Sequence, residues 1–216
     1  MSTVERRFTP TPVELRARGE LRIGGYAAKF GKMSKNLGGF VERLDPAVFN
    51  ASRGDGWPGV IARYNHDDNY LLGTTGGGTL RLRTDEVGLD YEIDLPDTSA
   101  GRDLHVLIGR NDVSQSSFAF RTIEDEWGLN DQNFPLRTLT NVQLVDVAPV
   151  NVPAYADTTS GLRSLAEHMH ADPDEVRKLA DDGELRRLFV RTDNKGQPKA
   201  PATFGAAARM SLLARR

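Results

Sequence analysis

Cysteine is absent from the 216-residue chain. That removes disulfides, thiolate nucleophiles and cysteine-ligated zinc together, so any covalent catalyst has to be Ser, Thr, Lys or a carboxylate. No apolar run is long enough to cross a membrane, and the opening MSTVERRFTP lacks the apolar core of a signal peptide. The expected compartment is therefore a cytoplasm, or something assembled there. A strong excess of either charge is missing too. The formal net charge is −2, so no global basic field points to nucleic acid. What is there, 38% hydrophobic and 27% charged residues, fits a soluble globular protein with one sizeable domain and a tail.

Residues 1–18 are polar and basic, with Pro10 and Pro12, and read as a flexible N-terminal arm. Residues 20–30 are strand-like, with Gly24 and Gly25 marking a bulge or a close approach. Residues 40–49 begin extended and pass into a short helix around Pro46. Residues 60–64 form a buried strand that runs into Asn65-His66-Asp67-Asp68. After a glycine run, Leu80 and Leu82 alternate in one strand and Leu89, Tyr91, Ile93 and Leu95 in the next, the two joined by TDEVG as a hairpin. Thr98 or Ser99 caps a helix that carries Leu104, Leu107 and Ile108. Residues 124–135 are a polar excursion between a serine-bearing strand and a strand over 136–150. The end is helical: 158–170, a helix opened by Asp172-Pro173, and 184–190. The expected fold is α+β, a mainly antiparallel closed β-barrel with helices outside and a helical C-terminus. Its divisions are the arm at 1–18, a barrel domain at 19–160, C-terminal helices at 161–190 and a flexible tail at 191–216.

Three residues carry candidate chemistry. Ser117 lies in NDVSQSSFAFR, residues 111–121. Strand parity puts Phe118 and Phe120 on one side with Ser114 and Ser116, and Ser117 with Ala119 on the other. A hydroxyl that faces away from bulky core residues, on a rigid element, suits a nucleophile. A strand with polar residues on its solvated face is the plain alternative. His66 follows a buried strand and could equally be a surface or structural histidine. Asp146 sits in the apolar run LVDVAPV, where a carboxylate needs a partner, and a histidine is a good one. Acyl transfer needs a hydroxyl, an imidazole and an acid, and the chain supplies one of each.

The motifs resemble those of the tailed-phage prohead maturation proteases. GYAAKFGKMSKNLGGFVERLDPAVF looks like their N-terminal signature and NHDDNYLLGTT like their histidine motif. IGRNDVSQSSFAFR resembles their serine motif, and LVDVAPVNVPAYADT their closing motif. The four stand in the family's order over about residues 20–160. Ala119 stands where glycine is usual, and Ala148 where serine is usual. The resemblance implies a serine endopeptidase with Ser117 as nucleophile, His66 as general base and Asp146 as third member, with no cofactor or metal. It implies a fold similar to the herpesvirus assemblins, a barrel ringed by helices. Backbone N–H groups near Ser117, with Arg137 as helper, are candidates for stabilising an oxyanion. The resemblance further implies action inside the assembling procapsid in the host cytoplasm. There the protein would cut the major capsid protein or its scaffolding region, and then itself, as a dimer or a capsid-tethered form, without nucleic acid or membrane. Two competing readings are a metal site of His66, Asp67, Asp68 and His105, and a non-catalytic capsid scaffolding or decoration protein with the same barrel.

Overall fold

Two long strands set the frame. β9 (Gln115–Leu129) and β10 (Pro135–Val150) pair antiparallel, 15 and 16 residues long. At about 3.4 Å per residue each runs about 50 Å, enough to carry different partners at its two ends. The computed structural model describes residues 4–9, 14–15, 21–151 and 159–190. The tail expected over 191–216 lies outside them. β1 (Val4–Thr9) lies antiparallel along the other edge of β9, with Phe8 opposite Ser117. The edge of β10 that faces away from β9 takes two short parallel strands. β4 (Val41–Leu44) pairs at Leu136–Leu139, and β5 (Ile61–Arg63) pairs at Asp146 and Val147. β6 (Leu71–Thr74) pairs antiparallel with β5.

A second sheet has the order β2 (Glu14–Leu15), β3 (Arg22–Lys29), β8 (Gly88–Asp94), β7 (Leu80–Thr84). The β7–β8 hairpin falls where alternation places it. α1 (Asn50–Gly54) precedes β5, and α2 (Ser99–Gly109) leads to β9 with Thr98 as its cap, its side chain accepting from Gly101 N–H. Each sheet buries one face against the other. Ile23, Leu89, Tyr91 and Ile93 from one meet Phe118, Phe120, Val142, Leu144 and Val147 from the other, with Phe49, Leu104 and Ile108 closing the core.

The fold is α+β, but the closed antiparallel barrel is not found. The described strands form two open sheets, and the larger one is mixed, because β4 and β5 run parallel to β10. Reading neighbouring strands as hairpins assumes that sequence neighbours pair. Here β4 and β5 pair instead with a strand far along the chain, and stacking two sheets buries both inner faces without closure. Three local expectations change as well. Val4–Thr9 is a strand, not part of a loose arm. The polar excursion is mostly strand, since β9 continues to Leu129. The bulge expected at Gly24–Gly25 falls between Tyr26 and Ala28.

The C-terminal helices are α3 (Thr159–Met169) and α4 (Pro173–Asp181), the latter capped by Asp172, followed by a 3-10 turn at Leu185–Leu188. They cover the far end of the hairpin through a separate cluster of Phe40, Trp127, Leu162, Leu165, Val176 and Leu185. Gly161 packs against Phe40 there; an added Cβ would stand 2.6 Å from the ring.

Candidate active site

Residues opposite one another in an antiparallel pair point to the same face. Ser117 stands opposite Ala148, and Ala119 opposite Asp146. Ser117 and Asp146 therefore share the face that turns away from Phe118 and Phe120, and they are diagonal neighbours, about 7–8 Å apart by backbone. An imidazole fits that gap. A register irregularity between Leu144 and Asp146 re-aims the carboxylate, because Leu144 and Val147 both belong to the core while Asp146 points the other way.

His66 fills the gap. β5 is locked to β10 with Ile61 opposite Asp146, so the turn after β5 emerges above the carboxylate. The turn Tyr64–His66 holds two successive residues in the left-handed region, Asn65 at φ 55° and His66 at φ 57°. Side chains rarely adopt that region, and such strain gathers at functional sites. Asn65 is held there in part by accepting a hydrogen bond from the Asn151 N–H at 3.1 Å. His66 Nδ1 is 2.6 Å from Asp146 Oδ1, and Nε2 is 2.7 Å from Ser117 Oγ. An ionised carboxylate only accepts, so Nδ1 carries the proton, and in the neutral ring Nε2 is left as an acceptor facing the serine hydroxyl.

The structure thus brings together the three residues picked out in the sequence, in the order carboxylate, imidazole, hydroxyl. Asp146 is fully buried. Burial alone would raise its pKa, but the hydrogen bonds and charges of His66 and Arg63 outweigh it and hold the carboxyl below its ordinary value. Ser117 is also enclosed, at 1% exposure, so the plain alternative of a strand with polar residues on a solvated face does not describe it. Ser116 points the other way, into the core, with its Oγ 2.9 Å from the Tyr91 hydroxyl.

Two neighbours were not picked out in the sequence. Arg63, the last residue of β5, hydrogen-bonds Asp146 Oδ2 and also Asp68. A charge at the end of an apolar strand was the available signal, since such a group needs a partner. The second is the carbonyl of Arg7 on β1, which accepts from Ser117 Oγ at 2.9 Å. A backbone contact of this kind leaves no trace in residue types.

Arg137 does not belong to the site. It lies nine positions before Asp146 along β10, fully buried and bonded to Glu5, Glu42, Asp125 and Thr122. The backbone N–H groups beside Ser117 are flanked by β1 on one edge and β10 on the other, so they point into ladders. His66, Asp67, Asp68 and His105 do not assemble: the described residues contain no cluster of three or more His, Asp or Glu suited to a metal ion.

A buried carboxylate, an imidazole and a hydroxyl in one hydrogen-bonded row have the layout of a serine hydrolase site, here carried by an α+β fold of two stacked sheets. Over residues 11–171 the chain matches the family described as caudovirus prohead serine protease, and it belongs to that family. The matched span includes His66, Ser117 and Asp146. Comparison with curated proteins and with solved structures gives no match. The family's work is proteolysis in the maturation of phage heads.

Proposed function

We propose that the chain is an endopeptidase in which Ser117 is the nucleophile, His66 the general base and Asp146 the residue that orients the base and stabilises its charged form. The hydrogen-bonded row from Asp146 through His66 to Ser117 carries this reading. Ser117 Oγ attacks a peptide carbonyl carbon and its proton passes to His66 Nε2. The tetrahedral adduct collapses as Nε2 returns that proton to the leaving amine, which departs. Water, deprotonated by the same nitrogen, then attacks the acyl-serine, and the second adduct collapses to the free acid as Nε2 returns that proton to Ser117 Oγ. Asp146 stays ionised throughout and stabilises the imidazolium.

The substrate in this reading is the major capsid protein, at its N-terminal or scaffolding region, cut inside the assembling procapsid. The chain also cuts itself beyond its C-terminal helices. Residues 195–216 are poor in core-forming side chains and rich in Ala, Gly, Lys and Arg, and an extended segment enters a protease site more easily than a folded one. A serine-directed acylating probe tests the chemistry. It should modify Ser117, located by peptide mass spectrometry, and leave Ser114 and Ser116 unmodified. A protein that stays unlabelled, or is labelled at another serine, contradicts the assignment.

A further inference from the structure

Asp146 offers two carboxylate oxygens, and the structure commits both. Oδ1 faces His66 Nδ1 at 2.6 Å, and Oδ2 is bonded to the Arg63 guanidinium. A carboxylate held only at Oδ1 could swing about its own axis and tilt the imidazole with it. Held at both oxygens, its plane is fixed. Arg63 is only 12% exposed, and it lies three residues before His66. The same short segment therefore delivers the base and the group that fixes the base's partner. We propose that Arg63 is a positioning residue for the Ser117 reaction, fixing the plane of the Asp146 carboxylate and, through it, the tilt of the His66 imidazole. The proposal rests on the reading of Ser117 as nucleophile.

Charge supplies a readout. The Arg63 cation lies against the carboxylate that stabilises the imidazolium formed in the reaction, so its loss should move the acid limb of the rate profile. The other charged groups nearby do not duplicate it. Asp68, the second carboxylate on the guanidinium, is 87% exposed and screened by solvent. Asp67 turns towards Asn69. Arg7 offers only its carbonyl to the site, its side chain being bonded to Glu5 and Glu42.

The test is the rate of Ser117 phosphonylation by a fluorophosphonate, Oγ displacing fluoride from phosphorus, followed against pH in the full chain, for the native protein, Arg63→Gln and Arg63→Lys. For Arg63→Gln the plateau rate should fall about tenfold to a hundredfold, as loss of an outer-shell partner typically does at histidine sites that bind metal. The midpoint of the acid limb should also move up by about one pH unit. Arg63→Lys keeps the charge and loses the fork, so its midpoint should stay where the native one is, while its plateau falls by about tenfold. An Arg63→Gln profile with an unshifted midpoint overturns the proposal, even if the rate falls, since lost packing alone would do that. Should Arg63→Gln not fold, a native plateau in Arg63→Lys overturns it. Failure of the native protein to label at Ser117 would instead remove the protease reading on which the proposal stands.

Discussion

At the scale of single residues, the serine hydroxyl has one proton and two acceptors within reach, His66 Nε2 at 2.7 Å and the Arg7 carbonyl at 2.9 Å. With His66 neutral, the proton can go to Nε2, the direction that activates the oxygen. With His66 protonated, Nε2 donates to Oγ and the hydroxyl turns to the Arg7 carbonyl, which locks the oxygen in its unreactive form. The charge on Asp146 decides how well the imidazolium formed during reaction is stabilised. Asp146→Asn should keep the shape and lower the acylation and cleavage rates by up to about ten-thousand-fold. A variant that retains most of the native rate would make Asp146 structural. Much of this geometry was legible in SSFAF and LVDVAPV. Period-two parity separates Ser117 from Ser116, and a carboxylate in an apolar run demands a partner. Arg63 and the Arg7 carbonyl were not, because their roles arise from a strand register that pairs residues about 80 to 110 positions apart.

At the scale of elements, β1 shows why polarity misleads. VERRFT looks like a solvated arm, because charged residues are usually exposed. Here Glu5 and Arg7 are buried, tied to Glu42, Arg137 and Thr122 in one network that fastens β1 and β4 to β10. Arg137 is the hub, bridging Glu5, Glu42 and Asp125. Removing one partner of such a network strands the others without water. Arg137→Met should therefore cost about 3–5 kcal/mol of stability, read from a denaturant midpoint. Its folded fraction should still acylate at Ser117 at close to the native rate, because Arg137 is bonded to none of Asp146, His66 and Ser117, and the network reaches that row only through the backbone carbonyl of Arg7. A large loss of acylation in folded protein would restore Arg137 to the chemistry. The hairpin at 80–95 and the two capped helices were readable, since their signals are local turns, alternation and cap residues.

At the scale of the whole molecule, the sequence indicated the α+β class and the strands but not how they close. Parallel pairing of β4 and β5 to a distant strand has no local signature, so a chain of hairpins suggested a barrel where two sheets stack. Stability against pH belongs to this scale too. Burial works to raise the pKa values of Glu5 and Asp146. The partners Arg137, Arg7 and Thr122 for Glu5, and His66 and Arg63 for Asp146, lower both below the ordinary value. A carboxyl depressed in the folded state contributes stability that is fully present above its unfolded pKa, about 4, and lost as pH falls through the lower folded value. Thermal melts should therefore decline steeply below about pH 4, and less steeply for Glu5→Gln, which has no such proton to take up. Parallel profiles for the two proteins would exclude Glu5 as a source of the acid sensitivity.

Processing of a co-expressed capsid protein reaches the central claim most directly, with mass spectrometry of the ends of both chains. The native protein should yield a shortened capsid protein and a shortened copy of itself. Ser117→Ala should yield neither while keeping a native melt. Ser116→Ala should process normally, with a small loss of stability of about 1 kcal/mol for the missing bond to Tyr91. Normal processing by Ser117→Ala, or a folded Ser116→Ala that cuts nothing, would contradict the assignment of the nucleophile and the strand register on which it rests.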